Sequence, residues 1–203
     1  MSDTQMTINL SGIVILAGGE SSRMGSPKAL LPLPTGETLL DFHICHAESL
    51  TVPVMVADNG KHFCQDNTVK IIDDYVENDE AGKGAGALSA IAGAIENLTN
   101  QNGYLMVISC DCLIGADLVF AKLVHQIIDE DVVYLKSEKD YPLLGLYRVD
   151  LLPRLKDFLD KGNRSVMKFL SDKKVKTVDL PNKWGALANF NTMDEFNLAL
   201  TKL

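Results

Sequence analysis

Cysteine, cationic charge and long apolar runs are all scarce in this chain, and each scarcity excludes something. Four cysteines in 203 residues do not make a disulfide scaffold, and Cys110 and Cys112 lie too close together to close an ordinary bridge. Reduced thiols are expected. The longest early apolar run covers residues 13–17, far below the ~20 residues a membrane helix needs, and no basic stretch precedes it as a secretory leader would require. A soluble, cytoplasmic protein is expected. Lys and Arg total 19 against 27 Asp and Glu, a net charge of -8. Nucleic acids and membrane surfaces are anionic and reward basic patches, so neither is an expected partner. Internal repeats, low-complexity linkers and long charge runs are also missing. A hydrophobic content of 46% suffices for one substantial core rather than two, so one domain over residues 1–203 is expected.

What is present is an alternation. Apolar, β-branched runs recur at residues 12–16, 52–57, 69–72, 104–109 and 131–135, and unbroken runs of this length predict strands buried on both faces. Segments with helical spacing lie between them; Phe120, Val124, Ile127 and Ile128 fall on one predicted helical face. The expected fold is α/β and Rossmann-like, a mainly parallel sheet with helices on both faces. Past Asp140 the rhythm changes to a short apolar stretch at 143–147, an amphipathic stretch at 151–159 and a stop at Gly162. A last helix follows, with Thr192 and Glu195 spaced as a capping box. His43 and His46 share a helical face and, without a third ligand, are expected at the surface or partly buried.

In an open α/β sheet, ligands bind beyond the carboxyl ends of the strands. Residues 16–28, LAGGESSRMGSPK, leave the first strand with Gly18, Gly19 and Gly25, which let backbone N–H groups approach and nest an anion. Arg23 and Lys28 add two positive charges, which together suit a triphosphate. The segment is neither a Walker A loop nor a dinucleotide fingerprint, and an ordinary turn with surface charges is the competing reading. Asp111 follows the run at 104–109; a carboxylate there either holds Mg²⁺ together with phosphate oxygens or caps the next turn. Asp73 and Asp74 end the third run, as site carboxylates or as part of a solvated acidic loop. Asn189 and Asn191 alternate on one face of an extended segment, where their amides can donate and accept as a pterin or phosphate site requires.

The string L-A-G-G-x-x-x-R-M-G-x-x-K with Leu30-Leu-Pro-Leu33 resembles the signature of sugar-nucleotide-type nucleotidyltransferases, and specifically the molybdenum cofactor guanylyltransferases. The resemblance runs through most of the chain and implies the nucleotide-diphospho-sugar transferase type of the α/β fold. It implies an enzyme that joins GMP from GTP to molybdopterin and releases pyrophosphate, with Mg²⁺ as cofactor and transient contacts with cofactor-delivery proteins. By position, it assigns Leu16, Ala17, Gly18, Gly19 and Lys28 to the triphosphate and Arg23 to phosphate charge. Asp111 falls to the metal, and Lys28, Arg23 and Asp111 together to catalysis. Asp74 falls to the nucleotide with Asp73 as fallback, and Asp58 to the nucleotide with a one-residue ambiguity against Asn59. Gly86 matches the Gly-Pro-Leu-Ala-Gly element, Asn189 and Asn191 the Asn-x-Asn-Thr element near the pterin, and Arg164 a Gly-x-Arg element near the substrate.

The chain departs from the family pattern at Lys83 and Gly84, at Cys112 and Leu113 (where the family has Thr-Pro), and at Pro27, where an Asp is common. A cytidylyltransferase of the same pathway, a sugar-1-phosphate nucleotidyltransferase and a non-catalytic nucleotide-binding relative are the alternatives.

Overall fold

The computed structural model describes residues 8–19, 24–64, 68–78 and 84–203. In chain order the elements are β1 (Leu10–Leu16), α1 (Leu39–Glu48), β2 (Val54–Ala57), β3 (Lys70–Ile71), α2 (Ala87–Glu96), β4 (Tyr104–Ser109), α3 (Ala116–Leu123), β5 (Val132–Lys136), β6 (Asp140–Arg148), α4 (Leu152–Asp160), α5 (Val166–Leu170), β7 (Val175–Asp179) and α6 (Met193–Leu200). The strands form one seven-stranded sheet in the order β3-β2-β1-β4-β6-β5-β7. Only β6 runs antiparallel to its neighbours; the pairs β1·β2, β1·β4, β2·β3 and β5·β7 are parallel. The mainly parallel α/β reading therefore holds, and each of the five expected strands is present.

Side chains alternate across the sheet because successive Cβ atoms point to opposite faces. Ile13, Ile15, Met106 and Ile108 enter one core with α1, α3 and α6. Val14, Leu105 and Val107 enter the other with α2, α4 and α5. Both faces are covered, which is why these strands read as unbroken apolar runs. No helix among the described residues is long and apolar enough to cross a membrane.

One expectation needs correction, and one strand was not announced. Helix α3 ends at Leu123 and passes into a 3-10 turn, Val124–Gln126, so the face expected from Phe120 to Ile128 does not form; Ile128 is 71% exposed while Val119 and Leu123 are buried. Strand β7 had no apolar run to announce it, because it lies at the sheet edge and buries only Val178 fully.

The Thr192 capping box is present: the Glu195 N–H donates to Thr192 Oγ1 at 3.2 Å, and the Thr192 N–H to Glu195 Oε2 at 3.1 Å. The same carboxylate accepts from the Asn191 N–H at 2.6 Å; these backbone bonds hold its pKa below the usual glutamate value. Thr192→Ala is expected to cost about 1 kcal/mol, read as a lowered midpoint in urea denaturation. An unchanged midpoint would show that the cap contributes nothing here.

Candidate active site

Three loops at the carboxyl edge of β1, β2 and β4, together with the segment after β3, surround a cleft of about 380 Å³, within the usual range for small-ligand sites. Its lining includes Leu16, Gly18, Gly19, Asn59, Lys61, Asp74, Gly86 and Asp111. A smaller adjoining space of about 70 Å³ is lined by Leu16, Ala17, Gly19, Lys28, Ser109, Cys110 and Asp111. Eight of the sequence-assigned residues thus meet at one place. Arg23 lies outside the described residues, as does Lys83.

The first loop is held against the second strand's exit. Ala17 and Gly18 both donate their N–H groups to the Ala57 carbonyl, at 2.8 and 3.1 Å. A Cβ on Gly18 would lie 2.8 Å from Asn59 Cβ and 3.0 Å from the Asp58 carbonyl carbon. Glycine is therefore required there by close backbone approach. Pro27 precedes a 3-10 turn, Lys28–Leu30, and its preset φ of -58° suits that start. Pro27, where the chain breaks the family pattern, closes the turn that carries Lys28: its carbonyl accepts from the Leu30 N–H at 3.1 Å.

Lys28 is 17% exposed and turns back across the sheet edge to the C-terminal segment. Its Nζ donates to the Phe190 carbonyl at 2.8 Å and to Asn191 Oδ1 at 2.9 Å, and lies 3.8 Å from Asp111 Oδ2. Asn191 Nδ2 donates to Asn189 Oδ1 at 2.8 Å, and Asn189 Nδ2 to Asp111 Oδ2 at 2.8 Å. The Phe190 N–H donates to the Asp111 carbonyl at 2.8 Å. Lys28, Asn191, Asn189 and Asp111 thus form a closed ring of polar contacts beside the phosphate-type loop. The two asparagines orient the lysine and the carboxylate, a role their alternation alone did not specify.

Asp111 is 27% exposed, and among the described residues no three His, Cys, Asp or Glu gather as a ready-made metal cage. A lone, accessible carboxylate beside a phosphate loop fits a hard cation such as Mg²⁺, which takes one or two carboxylates plus substrate phosphates. Cys110 and Cys112 are buried. Burial pushes both thiols up, Cys112 to about 12, so neither is a thiolate at neutral pH.

Asp74 lines the cleft from the segment after β3, the edge strand two places from β1. Burial, with help from Asp73, raises its carboxyl to about 6. Asp58 is a correction: its side chain is fully buried and Oδ2 accepts from the Phe63 N–H at 2.9 Å, so it shapes the loop while Asn59 lines the cleft. Lys61 was missed by sequence reading; its Nζ donates to the Gly18 carbonyl at 3.0 Å, and a single lysine after an Asn-Gly turn carries no local signal. Arg164 binds its own loop, donating to the Leu159 and Asn163 carbonyls at 2.7 and 2.8 Å, and is not part of the lining. His43, expected near the surface, is fully buried; His46 contacts Asp117 at 2.8 Å.

An open α/β sheet with a glycine-rich loop after β1 and a carboxylate after β4 defines a nucleotidyltransferase-type fold. A family model described as MobA-like NTP transferase domain matches residues 13–176, and the chain belongs to that family. It is 28% identical over 193 residues to a molybdenum cofactor guanylyltransferase of Pasteurella multocida (strain Pm70), covering 93% of this chain and 97% of that protein. It is 30% identical over 190 residues to a probable molybdenum cofactor guanylyltransferase of Mycolicibacterium paratuberculosis, covering 92% of each. Its fold matches the crystal structure of molybdopterin-guanine dinucleotide biosynthesis protein A from Archaeoglobus fulgidus, with a TM-score of 0.73 and 19% identity over 94% of this chain and 97% of that one.

Proposed function

We propose that this protein is a Mg²⁺-dependent guanylyltransferase of the cytoplasm that transfers GMP from GTP to molybdopterin and releases pyrophosphate, within one domain of residues 1–203. The observation that carries the reading is one cleft with a phosphate-type loop and the Lys28–Asp111 pair beyond β1 and β4 and Asp74 beyond β3, the edge strand two places from β1. A nucleoside triphosphate needs both places. Ionised Asp74 is acceptor-only, and the guanine N1–H and 2-amino group present two adjacent donors to such a carboxylate. Cytosine offers such a carboxylate one donor, its 4-amino group, beside the N3 acceptor, and so makes one hydrogen bond where guanine makes two.

In the proposed reaction a terminal phosphate oxygen of molybdopterin attacks the α-phosphorus of GTP. A P–O bond forms there, the bond from the α-phosphorus to the bridging oxygen breaks, and its electron pair leaves with pyrophosphate. Such chemistry asks the protein chiefly for alignment and charge neutralisation. Gly18 and Gly19 bring backbone amides to the triphosphate. Lys28 supplies positive charge as the leaving group departs, and Asp111 would hold Mg²⁺, which when bound neutralises phosphate oxygens. Asn189 and Asn191 release amide donors and acceptors to the pterin as they yield their mutual bond. Cofactor-delivery proteins are the expected transient partners.

The test is binding of GTP, CTP and UTP with Mg²⁺, followed by pyrophosphate release on adding molybdopterin. GTP is expected to bind tightest and to turn over. Tight CTP binding without a GTP response would make the protein a cytidylyltransferase, and binding without turnover would make it a non-catalytic relative. Because Asp74 titrates near 6, GTP affinity is expected to rise with pH through that value as the carboxylate ionises. A flat profile between pH 5 and pH 7.5 would remove Asp74 from base recognition.

A further inference from the structure

We propose that Ser89, a buried helix residue outside the cleft, is a positioning residue for Asp74 and thereby sets the preference for guanine. The inference rests on the reading of Asp74 as the base-recognising carboxylate. After Ile72, whose N–H donates to the Val56 carbonyl at 2.9 Å, the chain leaves the sheet. Asp74 therefore has no strand neighbour to fix it. Helix α2 does so instead.

Ser89 is fully buried. Its Oγ accepts from the Val76 N–H at 2.8 Å and its carbonyl accepts from the Tyr75 N–H at 3.1 Å. Both residues after Asp74 are thus tied to one position of the helix. The residue before it rests on the same face of the helix one turn further on, since the Asp73 carbonyl oxygen lies 2.2 Å from where a Cβ on Gly93 would stand. Only glycine lets that carbonyl rest on the helix.

The same helix and its N-cap supply Gly86, Ala87 and Ala90 to the cleft wall, so wall and clamp belong to one element. Ser89 lies in the first turn of α2, where its own N–H donates to the Gly86 carbonyl at 3.0 Å, and its hydroxyl is turned to the segment after β3 rather than to the helix. Its hydroxyl satisfies the part-buried Val76 N–H, which would otherwise lose its partner. The clamp thus holds a carboxylate in surroundings that disfavour its charge.

The experiment measures affinities of the full chain for GTP and ITP with Mg²⁺, because ITP lacks only the 2-amino donor that Asp74 would accept. Wild type is expected to prefer GTP by about tenfold. Ser89→Ala is expected to shrink the preference to about twofold while leaving affinity for ITP within about threefold. In the double variant with Asp74→Ala the serine change is expected to add nothing further, the signature of two residues acting as one. Gly93→Ala, which displaces Asp73 from the next turn of the same helical face, is expected to lower the preference as well and serves where Ser89→Ala folds poorly. The midpoint of the GTP-affinity pH profile is expected to fall in Ser89→Ala as Asp74 gains access to water; a merely structural serine would not move it. Full GTP preference in either folded variant, with the preference lost in Asp74→Ala, overturns the clamp alone. A wild type that binds GTP and ITP equally overturns the reading of Asp74, and the clamp with it.

Discussion

Alanine at Lys28 or at Asp111 is expected to slow pyrophosphate release by about 100- to 1000-fold at saturating GTP, the scale seen when one preorganised charge-stabilising group is removed. Lys28 is held by two oxygen acceptors, Phe190 O and Asn191 Oδ1, and stands 3.8 Å from Asp111. Its position is set before substrate arrives, so its charge costs little reorganisation when the leaving group departs. Asp111 is similarly fixed, by the amide of Asn189 on its side chain and by the Phe190 N–H on its carbonyl. Asn189→Ala leaves both charged groups in place and loosens only the carboxylate; a smaller loss of about tenfold is expected, with GTP affinity in the presence of Mg²⁺ weakened in parallel. All three side chains lie at the site rather than in either core, so urea midpoints are expected to stay close to wild type. Near-normal turnover of Lys28→Ala or Asp111→Ala would remove the site assignment.

The second large effect concerns stability in acid. His43 on α1 is fully buried, with Nε2 3.0 Å from the Cys112 carbonyl and Nδ1 without a hydrogen-bond partner among the described residues. Against a carbonyl, Nε2 must be the donor, so the neutral ring carries its proton there. Burial, with His46 nearby, lowers its pKa from the ordinary 6.5 to about 4. The unfolded chain takes up a proton at about pH 6.5 and the folded chain only near 4. Unfolding therefore gains a proton between these values, and stability falls as the pH drops through that window, levelling off below it. About two and a half units correspond to roughly 3 kcal/mol, a large share of the stability of an ordinary domain.

Urea denaturation at pH 7 and pH 4.5 would read this directly when wild type is compared with His43→Leu. The leucine variant is expected to be weaker at pH 7, since the Cys112 carbonyl loses its donor, yet to lose about 2–3 kcal/mol less on acidification. Other titrating groups, including Asp74, are common to both proteins and cancel in the difference. Equal losses would show that His43 is not the acid-sensitive group.

Much of the site was legible because parallel strands deliver their carboxyl ends to one edge. Residues one to three places past strong apolar runs, such as Gly18, Gly19, Asp74 and Asp111, are delivered to the lining of one cleft. Asp58 failed the same logic by one position: the turn after β2 buries Asp58 under Phe63 and presents Asn59. Which of two adjacent polar residues faces inward depends on the turn's dihedrals, and Asn59 has a positive φ of 59°. His43 was misread for a related reason. A histidine on an amphipathic face looks polar, but α1 packs that face onto the sheet and the loop at Cys112 supplies an acceptor. At Ile128, helical spacing continued in the sequence after the helix itself had stopped.

Local pattern by itself determined five of the seven strands, their burial on both faces and the loops that would carry chemistry, because β-branched runs and glycine placement act over a few residues. Only the tertiary structure decided which of those groups meet. Lys28 reaches a carbonyl 162 residues away and Asp111 is held by an amide 78 residues away, through a sheet order in which β1 and β4 are neighbours. Ser89 and Gly93 looked like helix filler until α2 was laid beside residues 73–76. Such contacts arise from packing between elements distant in sequence, and no short-range propensity encodes their partners.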